Sequence, residues 1–184
     1  MDAVPPWQTV RSARRGDFRI FRVRQDFKIS PQTGREHDFF VLECPDWVNV
    51  IALTPDRRMV LVEQWRHGSE TVELEIPGGV MDAEDEDPVQ TGVRELREET
   101  GYEGEEARLL ASILPNPAMI HNRCHVVLVE NCALRHATAF DEGEFLLTRL
   151  YSIEEVWRLA REGRIRNAMV LAALYRFALA ENLL

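Results

Sequence analysis

Three glutamates in the middle of the chain are the residues best suited to chemistry. Glu95, Glu98 and Glu99 fall within a predicted helix over 87–101, where a turn of 100° per residue brings their side chains into an arc of about 100°. A solvated acidic face is the ordinary explanation of such an arc. The alternative is a site for a divalent cation, because carboxylate oxygens are the ligands that Mg²⁺ takes in proteins.

Two further features favour the cation site. Gly78 and Gly79 precede the helix, and a glycine pair lets the backbone approach a ligand closely. The formal net charge is −9, from 22 Lys and Arg against 31 Asp and Glu, and residues 82–106, with eleven acids and two bases, account for all of it. This concentrated charge indicates cations as partners. It argues against nonspecific binding to nucleic acid or to an anionic membrane, both of which require a basic surface.

The order of these residues resembles the Nudix box, the signature of Nudix hydrolases. RELREETGY at 94–102 fits the pattern R-E-apolar-x-E-E-x-G-apolar, and Gly79 and Glu86 stand upstream of it. In that family the helix carboxylates bind Mg²⁺ or Mn²⁺, and the enzymes cleave a nucleoside diphosphate linked to another group. The resemblance therefore implies that Glu95 and Glu99 are metal ligands.

Other residues of the box take their expected roles from the same resemblance. The backbone carbonyl of Gly78 would be a third metal ligand. Glu98 would be a further ligand, direct or through water, with a part in catalysis. Arg94 and Glu86 would orient the ligands, a role that metal sites routinely need.

The spacing of the upstream acids departs from the family pattern. Six residues separate Gly79 from Glu86, whereas the family has five. A one-residue insertion in the loop leaves the helix register intact, so the metal ligands are unaffected. It leaves open whether Glu84, Asp85 or Glu86 supports Arg94.

Three matches outside the box resemble the ADP-ribose pyrophosphatase branch of the family. Pro117 stands where that branch has a proline, and Arg66 in EQWRHG is similar to an arginine that contacts the substrate phosphates. DEGEF at 141–145 resembles an acidic loop whose glutamate positions the attacking water. Glu144 is therefore the expected general base, with Glu142 as the alternative.

The N-terminal segments also resemble that branch, whose members form dimers through an extra N-terminal sheet. A hairpin is predicted from 18–29 and 37–44, because the turn SPQTG separates two segments of alternating apolar residues. Aromatic side chains of the extra sheet stack on the nucleobase in that branch, and Phe21 and Phe39 are the counterparts here. Packing within the sheet is the alternative role for both.

The loop NPAMIHNRCH at 116–125 differs from the usual ADP-ribose version. It is closer to a broader group that acts on nucleoside diphosphate sugars. Asn122 and Arg123 are candidates to contact the distal sugar or a phosphate. The alternative is that Arg123 begins a strand and lies on the surface without a role in binding.

The elements that must position these residues predict an α/β (α+β) fold. The resemblance to the family implies its form, a Nudix-type α/β/α sandwich with a mixed sheet and a small N-terminal antiparallel sheet. We predict an N-terminal β subdomain over 1–45, which begins with an arm over 1–15, and a Nudix hydrolase domain over 46–184. Within the second domain 47–54 and 58–66 read as a hairpin. The other predicted strands are 71–77, 107–114, 123–132 and 145–152, and the other predicted helices are 153–162 and 167–181.

The expected function is that of a Mg²⁺-dependent pyrophosphohydrolase, for which Mn²⁺ is a possible substitute cation. It would cleave ADP-ribose or another nucleoside diphosphate sugar to a nucleoside monophosphate and a sugar phosphate. One alternative is a dinucleoside polyphosphate or nucleoside triphosphate hydrolase, although the chain has no further basic cluster beyond Arg66 and Arg123 for the extra phosphates. The other is a noncatalytic domain that senses a nucleotide sugar.

The same sequence predicts a cytoplasmic homodimer without a nucleic-acid or membrane partner. The chain has no apolar run of the roughly 18–20 residues needed to span a bilayer. Its N-terminus has no pattern of a secretory signal. The three cysteines are widely spaced, so reduced thiols are expected.

Overall fold

The chain folds into two compact units in a computed structural model that describes residues 3–183. The first unit contains the chain up to Pro45 together with Leu114–Arg123, and the second contains Asp46–Ile113 and the chain from Cys124 onward. Residues 114–123 thus pack with the N-terminal segment, although the predicted domains assigned them to the second. Residues 1, 2 and 184, which the predicted domains include, lie outside the described residues.

The first unit is a three-stranded antiparallel sheet in the order β1-β2-β3, formed by Gln8–Phe18, Phe21–Ile29 and Glu36–Glu43. The predicted N-terminal hairpin is confirmed as β2 and β3. The arm expected over 1–15, ordered or frayed, is not a separate element, because residues 8–15 belong to β1. The side chains of β1 are nearly all exposed, so no apolar alternation marks this strand in the sequence.

Residues 114–123 are attached to the end of β3 by backbone hydrogen bonds. Leu42 N donates to Met119 O at 2.8 Å, and His121 N donates to Leu42 O at 3.2 Å. The side chain of Asn122 is buried and donates through Nδ2 to Pro45 O at 2.7 Å. These bonds fix the loop within the first unit.

The second unit contains three helices and the remaining strands. The helices are α1 Pro88–Thr100, α2 Ile153–Arg161 and α3 Ala168–Ala180. The strands are β4 Trp47–Ala52, β5 Arg58–Arg66, β6 Thr71–Glu75, β7 Gly78–Val80, β8 Tyr102–Glu103, β9 Glu106–Ile113, β10 Cys124–Glu130, β11 Ala133–Leu134 and β12 Leu146–Ser152. They form sheets in the orders β7-β4-β10-β9, β12-β5-β6 and β11-β8.

The hairpin predicted from 47–54 and 58–66 is wrong. Both strands form, but they belong to different sheets, and only an isolated bridge between Leu53 and Met59 joins them. β4 pairs in parallel with β10 and antiparallel with β7. The short turn between β4 and β5 carries local information only, whereas the parallel partner of β4 is β10, which lies more than 70 residues away in the sequence.

The ends of the helices follow their capping residues. The Asp87 side chain accepts from Val89 N at 2.9 Å, and Gly101 ends α1 with a φ of 74°, a conformation that glycine adopts without strain. Ser152 and Glu155 form the predicted capping box at the start of α2. The predicted positions of all three helices are therefore confirmed to within one or two residues.

Apolar side chains pack on both sides of the sheets of this unit. One cluster lies under α1 and includes Val48, Val50 and Leu96. The other lies under α2 and α3 and includes Ile51, Leu61 and Phe177. Helices therefore cover the sheets on two sides, and the expected α/β fold class is confirmed. Within residues 3–183, no helix has the length and apolar character to cross a membrane.

A buried carboxylate in the first unit gives a test of its stability. Asp26, whose side chain is only 4% exposed, accepts hydrogen bonds from Arg24 Nε at 2.8 Å and from Ser12 Oγ at 2.6 Å. The bond from Arg24 is the main reason that the pKa of Asp26 lies below its ordinary value. The ionised group stabilises the fold above the unfolded pKa of about 3.9, and this contribution disappears as the pH falls through the folded pKa.

We therefore expect Asp26→Asn to lower the free energy of unfolding by about 1–2 kcal/mol at pH 7 and by less near pH 3. Denaturant titrations monitored by circular dichroism at both pH values measure this difference. Glu36→Gln is the control, because its ion pair with Arg11 is exposed and should contribute less than about 1 kcal/mol. Equal losses in the two variants, or a loss that does not change with pH, would contradict the assignment.

Candidate active site

The glutamates of α1 line a cavity of about 230 Å³ in the second unit. Glu99 is buried, Glu95 has a side chain that is 15% exposed, and Glu98 lies nearer the solvent at 34%. Arg66 and Glu144 line the same cavity. The acidic face of a generic helix would be solvated. Glu99 is buried instead, because this face of α1 lies against β7.

The two glycines of β7 make room for these carboxylates. A Cβ atom on Gly79 would lie 2.5 Å from the carboxylate of Glu95, which is closer than such atoms approach in proteins. Gly78 N donates a hydrogen bond to Glu99 Oε2 at 3.0 Å. The glycine pair therefore holds one carboxylate by its backbone and leaves space for the other.

Burial and mutual repulsion shift the titration of both groups. Burial raises the pKa of Glu95 to about 7; Arg94 opposes the rise, and Glu98 and Glu144 add to it. Burial also raises the pKa of Glu99 to about 8, opposed by the Gly78 N–H and increased by Glu95 and Glu144. The cavity thus favours any cation that neutralises its carboxylates.

Arg94 is the basic side chain at the centre of the acidic residues. Its Nη1 lies 3.1 Å from Glu95 Oε1 and 3.3 Å from Glu98 Oε2, and its Nη2 lies 2.9 Å from Asp85 Oδ2. Of the three acids that the sequence left open, Asp85 is therefore the one that pairs with Arg94, whereas Glu86 is exposed and outside these contacts. Asp82 of the same loop lies farther from Arg94, with Oδ2 3.6 Å from Nη2.

The donor set suits a hard divalent cation. Among the described residues, no three His, Cys, Asp or Glu side chains converge closely enough to hold a metal ion as they stand, and Arg94 engages two of the carboxylates. The space that Gly79 leaves for the Glu95 carboxylate, beside the buried carboxylate of Glu99, still provides adjacent oxygen donors. Carboxylate oxygens with waters and phosphates are the usual ligands of Mg²⁺.

Glu144 reaches the cavity from the loop before β12. Ala139 N donates to Glu98 O at 2.8 Å, which ties the start of this loop to α1. Glu144 N donates to Asp141 O at 3.0 Å in a turn completed by Gly143, whose φ is 96°. Glu144 lines the cavity, whereas Glu142 is exposed and does not.

Arg66 lies at the end of β5 and is oriented by a buried acid. Its Nε and Nη2 donate to the two carboxylate oxygens of Glu75 at 3.1 and 2.9 Å. The Glu75 side chain is 4% exposed and that of Arg66 44%. A guanidinium held on one side by a carboxylate keeps its remaining donors available for an anion.

The structure adds cavity residues that sequence reasoning missed. Gln64 lies two residues before Arg66 on the same face of β5 and is 9% exposed. Its side-chain amide makes no hydrogen bond with any residue in the described range. Phe140 and Asp141 also line the cavity. Gln64 could have been predicted from the two-residue alternation of β5. Phe140 and Asp141 could have been predicted from their nearness to Glu144 in the sequence.

The remaining predicted substrate-binding residues lie in the first unit. Phe21 stacks on Phe18 with ring centroids 5.1 Å apart, and Phe39 meets Trp7 edge to face at 5.3 Å. Pro117 and Arg123 are exposed, whereas Asn122 is buried and bonded to Pro45. The carboxylates of α1, Arg66, Arg94 and Glu144 are thus the predicted residues that the second unit brings together.

Comparison with known proteins gives consistent matches. The family model of the NUDIX domain matches residues 45–174. The chain is 29% identical over 177 residues to a methanol dehydrogenase activator from Bacillus methanolicus, covering 96% of this chain and 95% of that protein. It is 28% identical over 144 residues to an ADP-ribose pyrophosphatase from Bacillus subtilis (strain 168), covering 78% and 77%.

A solved structure has the same fold. The crystal structure of an ADP compounds hydrolase aligns with a TM-score of 0.84 over 96% of this chain and 95% of that chain, at 17% sequence identity. At this identity the likeness is one of fold.

The close approach of Gly79 to Glu95 gives a test of the cation site. We expect Gly79→Ala to displace the Glu95 carboxylate and to weaken Mg²⁺ binding by about 10–100-fold, the usual effect of disturbing the surroundings of metal ligands. The melting temperature should change little, because only the mobile end of a side chain has to move. Calorimetric titration with Mg²⁺ measures the affinity.

Gly68→Ala is the matched control, because nothing lies within 4 Å of the added methyl group. An affinity for Mg²⁺ that is the same in both glycine variants would contradict the proposed position of Glu95.

Proposed function

The chain belongs to the NUDIX family of hydrolases, and from this premise we propose that it is a Mg²⁺-dependent pyrophosphatase of ADP-ribose or a related nucleoside diphosphate sugar. The products would be a nucleoside monophosphate and a sugar phosphate. The observation that carries the proposal is the cavity in which Glu95, Glu99, Arg66 and Glu144 come together. Relatives named as ADP-ribose pyrophosphatases support the substrate class.

Glu95 and Glu99 would hold the cation, with Glu98 and the carbonyl of Gly78 as further ligands. A bound divalent cation neutralises the diphosphate and lowers the pKa of water. Arg94, supported by Asp85, keeps the carboxylates of Glu95 and Glu98 in place. Mn²⁺ offers similar coordination and is the expected substitute.

The other residues act on the substrate and on water. The free donors of Arg66 bind a phosphate oxygen, while Glu75 fixes the direction of the guanidinium. Glu144 accepts the proton of the attacking water, whose oxygen forms a bond to phosphorus as the bridging P–O bond breaks. The bridging oxygen leaves with the second phosphate.

Two other functions compete with this proposal. A polyphosphate substrate carries more negative charge, and Arg66 is the only Lys or Arg besides Arg94 that lines the described cavity, which favours a diphosphate. A role as a sensor has support from the relative named as an activator of another enzyme. Keeping several repelling carboxylates in one cavity favours hydrolysis, because binding alone does not require them.

We also propose the homodimer and the cytoplasmic location expected from the sequence. Exposed apolar side chains on and beside the sheet of the first unit support the dimer, namely Val10, Phe18, Ile20, Phe39 and Phe40. Phe21 and Phe39 remain the proposed contacts to the base, and Pro117, Asn122 and Arg123 remain proposed substrate contacts.

A substrate panel tests the reaction. We expect Mg²⁺-dependent hydrolysis to be fastest with ADP-ribose or another sugar diphosphate among ADP-ribose, GDP-mannose, UDP-glucose and diadenosine polyphosphates. Glu99→Gln should lower the rate by about 10²–10⁴-fold and change the melting temperature little, because glutamine has nearly the same size and its side-chain oxygen can still accept the hydrogen bond from Gly78 N. Chromatographic separation of the products measures both the rate and the bond cleaved.

The outcomes of the panel separate the candidate functions. Preference for the polyphosphates would favour the second substrate class. Binding of a nucleotide sugar without turnover would favour the sensor. Full Mg²⁺-dependent activity in Glu99→Gln would remove Glu99 from the mechanism.

The general base is tested by comparing neighbouring glutamates. We expect Glu144→Gln to lower kcat by about 10²–10⁴-fold, the usual contribution of a general base. This decrease in kcat should be at least about tenfold larger than the decrease caused by Glu142→Gln. The pair is well matched, since both residues lie in the same exposed loop and only Glu144 lines the cavity. The opposite order of kcat values would assign the base to Glu142.

A further inference from the structure

A second cavity of about 310 Å³ in the second unit shares part of its lining with the active-site cavity. Arg66 and the short strand β7 line both cavities. Beyond this shared wall the second cavity is lined by Trp47, Asn49, Cys124 and Met169. A group attached to a phosphate at Arg66 would therefore lie within reach of these side chains.

Asn49 is an unusual residue for its place in the fold. It lies in the middle of β4, paired with Gly78 on one side and Val126 on the other, in a strand that is otherwise mostly apolar. Its Nδ2 is buried and has no hydrogen-bond partner. Because a buried unpaired amide costs free energy, an Asn kept there calls for a partner from outside the chain.

Gly78 provides the space for this amide. A Cβ atom at Gly78 would lie 2.9 Å from Asn49 Oδ1 and 2.2 Å from Val48 O. A half-turn of the amide about its Cβ–Cγ bond exchanges the oxygen and the nitrogen, so Asn49 can offer either an acceptor or a donor to the cavity. Gly78 thus has two roles, because its backbone N–H binds Glu99 and its lack of a side chain makes room for Asn49.

The rest of the wall suits a small ring with an apolar face and polar edges. The half-buried indole of Trp47 is a large flat surface, and the thioether of Met169 adapts to the shape of its neighbour. The volume lies at the lower end of the range of about 300–1,000 Å³ for ligand cavities. It therefore suits one sugar ring better than a complete nucleoside.

We propose that this cavity binds the sugar of the nucleoside diphosphate sugar, with Trp47 against the face of the ring and the amide of Asn49 hydrogen-bonded to a ring hydroxyl. The proposal rests on the proposed function and names the part of the substrate that the cavity selects. Asn49 and Trp47 then determine which sugars are accepted, while Arg66 and the carboxylates bind the diphosphate that all candidate substrates share.

Binding of the two expected products separates the halves of the substrate. We expect Asn49→Leu and Trp47→Leu to weaken binding of ribose 5-phosphate by at least about tenfold, which corresponds to the loss of one hydrogen bond or one packed face. The affinity for AMP should stay within about threefold. Calorimetric titrations in Mg²⁺ measure both ligands, and melting temperatures check the fold of each variant.

Tyr175→Leu is the control for loss of an aromatic side chain, because Tyr175 is exposed on α3 and does not line the cavity. Trp47→Leu keeps the test decisive if Asn49→Leu does not fold. Weakened AMP binding with unchanged ribose 5-phosphate binding would assign the cavity to the nucleoside and overturn the proposal. So would unchanged binding of both, or no binding of ribose 5-phosphate to the unmodified protein at millimolar concentration.

The same experiments distinguish this inference from the proposed function. If the unmodified protein hydrolyses ADP-ribose and the two variants bind ribose 5-phosphate as it does, only the sugar site is wrong. If the unmodified protein hydrolyses no sugar diphosphate, the proposed function fails, whatever the binding of the variants.

Discussion

The placement of the buried carboxylate of Glu99 and the partly buried carboxylate of Glu95 in one cavity is the constraint on which the rest of this site depends. Burial raises the pKa of Glu95 to about 7 and that of Glu99 to about 8, so the fold bears the cost of holding both in a poorly solvated place. Each has a specific neighbour that limits this cost. Arg94 contacts Glu95, and the N–H of Gly78 contacts Glu99.

These neighbours also explain the shape of the scaffold around the site. β7 must approach α1 closely, and its two glycines allow this where any side chain would collide with Glu95 or with β4. β4 in turn is held between β7 and β10. The sheet therefore fixes the distance between the glycine pair and the helix, and the loop before β12 is tied to the end of α1 through Ala139.

Features with local determinants could be predicted from the sequence, and features that depend on distant parts of the chain could not. Asp87 and Gly101 predict the ends of α1, and its register fixes Glu95, Glu98 and Glu99 on one arc. The pairing of β4 could not be predicted, because a buried apolar strand can pair with several others. Asp85 could not be chosen over Glu86, since a one-residue insertion is absorbed by loop geometry. Gln64 could have been found from the alternation of β5, because it lies on the same face as Arg66. Asn49 belongs to no motif, and only burial identifies it.

The cost of the carboxylates bears on whether the site catalyses or only binds. Glu95, Glu98 and Glu99 lie within one and a half turns of a helix, and Arg94 is the single arginine that contacts both Glu95 and Glu98 in the described chain. A domain that merely recognises a nucleotide sugar gains nothing from this repulsion, because Arg66 and a polar pocket would bind a diphosphate better without it. A hydrolase gains the cation that the diphosphate and the attacking water both need. The arrangement of charge is therefore the strongest physical argument for hydrolysis.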